Sequence, residues 1–157
     1  MHIRRADSTD EEQLVKIRRD AILSLAVPTL SQEEAEIWAR QITKERMKRA
    51  LCEHEVWVAE NEGVIGWVEI DQDRIAALYV SPHNAYRGVG SALLAFAEIS
   101  IFHAGHRTVQ LEAIRNALNF YIRRGYFQCG PPDTEAAYPL RKALFALGLV
   151  HEDISPT

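Results

Sequence analysis

The run Tyr86-Arg87-Gly88-Val89-Gly90-Ser91 sets two glycines, one residue apart, at the mouth of an apolar helical pattern. Glycine is a poor helix former, so its repetition there needs a reason. One reason is a tight strand-to-helix turn with positive φ at Gly88 or Gly90. The other is chemical. Backbone N–H groups at a helix N-terminus attract anions, and glycine lets a phosphate or pyrophosphate reach them without meeting a Cβ. Two familiar phosphate motifs do not fit. A dinucleotide fingerprint wants a third glycine where Leu93 stands, and a Walker loop wants Lys then Ser or Thr where Ser91-Ala92 follow. On these residues alone the tight turn and the anion cradle both stay open.

Other residues could carry protons. Trp67, Glu69 and Asp71 fall on one face of an extended run, and Glu112 lies on a later one. His103 and His106 are three apart at a helix end, a place that suits capping or solvent contact. No third ligand has a suitable spacing, so no metal is expected. Cys52 and Cys129 are far apart and form no CxxC pattern. That argues against a disulfide framework or a thiolate metal site and suits a reducing cytoplasm. The basic cluster from Lys44 to Arg49 reads as a solvated helix face. Trp38 and Trp57 read as core residues, with Trp38 in the helical region that could wall an acceptor site.

The elements that must position these groups follow from periodicity. "HIRRA" is an opening strand, and "DSTDEEQ" supplies caps for a helix carrying Leu14, Ile17, Ala21 and Leu25. Ser31 and Glu34 form a capping box for a second helix with Ile37, Trp38 and Ile42, and a third stretch leads to Leu51. The pattern then becomes extended. "EVWVAEN" and "VIGWVEID" are joined by the hairpin signal Asn61-Glu62-Gly63. "RIAALYVS" is nearly all apolar, as for a strand buried on both faces. A helix over 90–104 follows, with Gly105 as its cap, then the strand "TVQLEAI" and a helix in "NALNFYIRR" ending at Gly125. "YFQCG" and "AAYPLRK" close the pattern as strands, and 144–150 suits a short helix. The order predicts an α+β or mixed α/β fold of six to seven strands flanked by helices, splayed where its antiparallel front half meets its β-α-β-α back half.

The whole chain sets bounds on partners. Its 157 residues suit a single domain over 1–157, with 47% hydrophobic and 25% charged residues. No apolar run reaches the ~18 residues a membrane-spanning helix needs. The start "MHIRRADSTDEEQL" has no apolar core of a secretory signal, so a cytoplasmic protein is expected. A net charge of −4 disfavours an extended nucleic-acid surface.

A third glycine motif fits better than the two set aside. The segment from Leu78 to Glu98 resembles the acyl-CoA motif of the GNAT superfamily of N-acyltransferases: a strand, Val-x-Pro, then Gln/Arg-x-x-Gly-x-Gly/Ala opening a long helix. Val80-Ser81-Pro82, Gly88 and Gly90 match it. Ala85 departs from it, standing where Gln or Arg is preferred, and Arg87 is the substitute available nearby. "NALNFYIRRGYF" resembles the second family signature at Asn116, Phe120, Tyr121, Gly125 and Tyr126. The element order agrees over nearly the whole chain, while the specific motifs lie in its second half.

The resemblance implies acetyl transfer from acetyl-CoA, the acyl donor co-substrate, to a primary amine, with a small amine as the acceptor. It implies a pyrophosphate held by Ala85, Tyr86, Arg87, Gly88, Val89, Gly90 and Ser91. The pantetheine arm would pair with the backbone of Leu78, Tyr79 and Val80 and hydrogen-bond to Asn116. A backbone N–H near Tyr79 would stabilise the oxyanion, and Tyr121 would be the general acid for the leaving thiolate. Phe120 is core. The ammonium must lose a proton, since its pKa is about 10. Glu69 is the first candidate base and Glu112 the second; Arg74, beside Asp73, occupies the place where some family members carry an acid. The rival is a non-catalytic acyl-CoA sensor of the same fold, and a homodimer is left open.

Overall fold

A computed structural model describes residues 1–25, 31–40, 43–134 and 137–145. Strand β1 (His2–Arg5) is followed by helices α1 (Glu11–Leu25), α2 (Gln32–Ala39) and α3 (Lys44–Glu53). Strands β2 (Glu55–Glu60), β3 (Val64–Asp71) and β4 (Arg74–Val80) form a meander. Helix α4 (Val89–His103), β5 (Thr108–Ile114), α5 (Leu118–Ile122), β6 (Phe127–Gln128) and β7 (Ala137–Ala143) complete the order. The seven strands make one sheet in the order β1-β2-β3-β4-β5-β7-β6. Every neighbouring pair is antiparallel except β4 and β5. The mixed sheet expected from the sequence is the sheet observed.

Its local causes are the expected ones. Asp7 and Asp10 form a capping box ahead of α1, and Arg4 clamps Asp10 at 2.8 and 2.9 Å. Those bonds hold the Asp10 carboxyl below the usual carboxylate range. The Ser31–Glu34 box closes with bonds of 2.9 and 3.2 Å. Gly105 and Gly125 take positive φ after their helices. The first closing strand, "YFQCG", is shorter than its sequence suggests: only Phe127 and Gln128 pair with β7. The side chain of Trp38, residues 41–42 and the tail beyond Phe145 lie outside the described residues. Among the described residues no helix is long and apolar enough to cross a membrane.

Apolar alternation divides the core between the two faces of the sheet. Val68, Ile70 and Ile75 pack with Leu93, Leu94 and Ala97 of α4 on one face. Val56, Val58, Trp67 and Ala77 pack with Leu14, Ile17 and Met47 of α1 and α3 on the other. The expectation that β4 is buried on both faces is corrected at its start, where Arg74 and Ala76 are exposed. The reason is a β-bulge. Glu69 pairs with Ala77 and Ile70 with Ile75, so Ala76 has no opposite residue. Ile75 and Ala77 therefore enter opposite cores although they are two apart. The same bulge coincides with the end of β5 pairing, which covers only Arg74 and Ile75. From Ala76 onward the sheet splays.

Helix α4 lies close to the sheet because Gly66 has no side chain. A Cβ there would come within 3.0 Å of the Tyr79 carbonyl oxygen, 3.1 Å of Leu93 and 3.2 Å of Val89. Gly66→Ala should therefore destabilise the fold by about 1–3 kcal/mol through overpacking, read as a lowered urea midpoint with an unchanged slope.

Candidate active site

The splay leaves the β5-facing edge of β4 without a strand partner beyond Ile75. Leu78, Tyr79 and Val80 lie on this stretch, and Val80 leads into the turn that ends at Gly88. The Ser81 N–H is tied to the Ile65 carbonyl at 2.8 Å, which fixes the exit of the strand. Gly88 is the N-cap of α4, with φ +85, and no side chain caps this end. The first bond into the helix runs from the Ala92 N–H to the Gly88 carbonyl. The N–H groups of Val89, Gly90 and Ser91 thus have no intrahelical acceptor and face outward from the helix start.

Both glycines have identifiable work. A Cβ at Gly88 would meet nothing within 4 Å, so φ and the open space before it are what the position supplies. Gly90 sits against Phe120 and Val80, with a Cβ at 3.5 and 3.6 Å. Tyr86 is the surprise of the turn. It holds φ +61 although it is not glycine, and its ring is 98% exposed. Left-handed backbone costs a non-glycine residue about 1–3 kcal/mol, and no packing of the ring offsets it here. Alternation of such backbone with right-handed residues is the geometry that turns successive N–H groups toward one anion. Arg87 beside it is exposed, and Ala85 ends the short 3-10 turn Pro82–Asn84.

A charge that the sequence reading missed lies beside this helix start. Arg124 bonds the Ser91 hydroxyl, donates to the Phe120 carbonyl at 2.7 Å and stacks 3.8 Å over the Phe120 ring. In the sequence it reads as a helix C-terminal cation; only the fold sets it against the start of α4.

Tyr121 is buried on α5, edge-on to Phe120 and Tyr126 with ring centres 5.0 and 5.5 Å away. Burial pushes its phenol well above the usual tyrosine range, and nearby Tyr79 adds to this while Arg124 opposes it. The hydroxyl therefore stays protonated at neutral pH. Asn116 stands in the exposed turn between β5 and α5. Tyr79 faces the α1 side of the sheet, its ring 5.5 Å from Trp67 and 5.6 Å from the Arg18 guanidinium. Burial holds Arg18 below the usual arginine range.

The two glutamates have different surroundings. Glu112 is half exposed and pairs with Arg74 at 3.3 Å, so the basic residue at that place neutralises it. Glu69 is 1% exposed. Its Oε1 is 2.6 Å from His54 Nδ1, and Arg46 stands 3.7 Å from its Oε2. His54 was not singled out by the sequence, because its role depends on α3 ending against β3. His103 closes α4 in solvent. Among the described residues no three His, Cys, Asp or Glu side chains gather as a metal site.

A seven-stranded mixed sheet that opens between its two parallel strands, with a glycine-lined helix start at the mouth of the opening, defines an acyltransferase-type scaffold. The family profile described as "Acetyltransferase (GNAT) domain" matches residues 26–140, and the chain belongs to that family. It is 35% identical over 95 residues to the Escherichia coli (strain K12) protein "Uncharacterized N-acetyltransferase YafP", an alignment spanning 60% of this chain and 63% of that one. Its fold is that of a GCN5-related N-acetyltransferase from Rhodopseudomonas palustris, with TM-score 0.85 and 24% identity over 91% of this chain and 95% of that chain. It is also that of the PaiA N-acetyltransferase from Thermoplasma acidophilum, solved in complex with coenzyme A, with TM-score 0.81 and 22% identity over 91% and 98%.

Proposed function

We propose that this chain is one N-acetyltransferase domain that moves an acetyl group from acetyl-CoA directly to a primary amine, with a small amine as acceptor. The observation that carries the reading is the unpaired edge of β4 running straight into the Gly88 cradle. An extended arm could pair with residues 78–80 as an added strand would, while its phosphates meet N–H groups of residues 86–91. A solved relative of this fold, the Thermoplasma protein, holds coenzyme A. Arg124 supplies positive charge beside the cradle, a role that Ala85 lacks the side chain for. Asn116, at the far side of the opening, would hydrogen-bond the arm.

Bound acetyl-CoA would supply an activated acyl group; the protein's part is to align it and to move protons. A backbone N–H near Tyr79 would meet the charge that grows on the carbonyl oxygen. Tyr121, kept neutral by burial, would hand its proton to the departing sulfur. Glu69 and Glu112 are the carboxylates considered for the acceptor's proton; burial favours the first as part of the site and the Arg74 pair disfavours the second. Two exposed free cysteines agree with a reducing compartment such as the cytoplasm.

Calorimetric titration tests the reading. Acetyl-CoA should bind at micromolar concentration, with ATP and NAD as non-binding controls. Thiol release should then follow in a panel of spermidine, kanamycin, glutamate and a short peptide. Absence of binding at millimolar acetyl-CoA overturns it.

A further inference from the structure

We infer that His54, held by the buried carboxylate of Glu69, is the group that takes the proton from the amine acceptor. This rests on the acetyl-transfer reading and assigns its proton acceptor. Glu69 itself is sealed: the residue is 1% exposed and its Oε2, wholly buried, has no hydrogen-bond donor. A substrate ammonium cannot touch it. His54 can be touched. Its side chain is 28% exposed, and its two ring nitrogens face opposite ways in function. Nδ1 is 2.6 Å from Glu69 Oε1, and a carboxylate there fixes the proton on Nδ1. Nε2 is then left with its lone pair, on the ring edge that Asp71 borders at 3.5 Å.

The surroundings suit that role. The His54 backbone is pinned by its N–H to the Ala50 carbonyl at 2.9 Å and by Arg5 on its own carbonyl at 3.4 Å, so the ring is presented from a rigid helix end. Asp71 Oδ2 lies 3.5 Å from Nε2, half exposed, and would draw a cationic amine to that edge. The charged groups facing this histidine are Glu69 and Asp71 from β3, Arg46 from α3 through Glu69, and Arg5 with its partner Glu55 from β1 and β2. Glu69 pairs with Ala77, the first β4 residue beyond the bulge, on the face that also carries Tyr79. Glu69 thus stands on the strand next to β4, level with the start of the stretch that β5 leaves unpaired.

The proton step balances simply. The ammonium N–H bond breaks, its proton bonds to Nε2, and the free amine keeps the electron pair for attack. The imidazolium, with Nδ1–H still on Glu69, returns a proton to water through its exposed edge. His54 is the catalytic residue and Glu69 a positioning residue.

Two readouts test this on the full chain. In ¹⁵N-histidine spectra, with His54 assigned by the signal lost in His54→Gln, the neutral ring should carry its proton on Nδ1. A proton on Nε2 overturns the inference, whether or not any amine is turned over. With acetyl-CoA and the fastest amine of the panel, His54→Gln should lower kcat about 10²-fold and leave acetyl-CoA affinity unchanged. Glu69→Gln removes the carboxylate that fixes the tautomer, so Nδ1 should lose its preference for the proton in the same spectra and kcat should fall about tenfold. A wild-type kcat in both variants, with acetyl-CoA binding intact, overturns the assignment while sparing the acetyl-transfer reading. Loss of binding in the wild type overturns that reading instead.

Discussion

Tyr121→Phe should lower kcat by at least about 10²-fold while acetyl-CoA binds as before, measured by thiol release and by titration calorimetry. The size follows from what the hydroxyl does. It lies in an apolar corner between Phe120 and Tyr126, so no water can readily replace it as proton donor to the leaving sulfur. Removing one oxygen leaves the ring and its packing in place, and the fold should keep its stability to within about 1 kcal/mol. The pH behaviour has a definite sign. A phenol raised above its ordinary pKa of about 10 remains an O–H donor throughout the neutral and mildly alkaline range. Wild-type activity should therefore show no alkaline loss from Tyr121 below about pH 10. A sensor of the same fold would have no turnover to lose, and an unchanged low rate in the variant would favour that rival.

Gly88→Ala should weaken acetyl-CoA binding about tenfold or more. Two effects add. The φ of +85 imposes a left-handed cost of about 1–2 kcal/mol on any residue with a Cβ. The new methyl also points into the open space from which a phosphate would approach the helix start. Gly63 separates these effects. It too has positive φ, at +126, with no neighbour within 4 Å of a Cβ, but it lies in the β2–β3 hairpin. Gly63→Ala should lower the thermal midpoint by a similar few degrees and leave acetyl-CoA affinity unchanged. Equal loss of affinity in both variants would mean that the Gly88 effect is one of stability, and the cradle would lose its support.

The order of elements and the glycine-rich mouth of α4 were legible from local chemistry. Period-3.6 patterns with Asp7 and Ser31 caps, an Asn61-Glu62-Gly63 hairpin and glycines after helices act within a few residues, so the sequence displays them directly. The same holds for Gly88 and Gly90 at the start of α4, and for Tyr121, the fourth residue of the second signature's helix. The bulge at Ala76 was not legible. An alanine in an apolar run gives no sign that the opposite strand skips it, and the consequence, a strand whose faces exchange halfway, undid the expectation of two-sided burial.

What the sequence by itself determined is the set of parts: strands, helices, caps, a glycine helix mouth and a tyrosine behind it. Each depends on backbone preferences and spacings inside one segment. What only the tertiary structure decided is which parts meet. Arg124 looks like a helix-end cation until α5 packs beside α4 and brings it to Ser91. Glu112 looks like a free carboxylate until Arg74, 38 residues away, pairs with it. His54 looks like an ordinary helix cap until β3 sets Glu69 against its ring. These are side-chain encounters across strands and helices, and their energies depend on burial and distance, which no local pattern of residue types encodes.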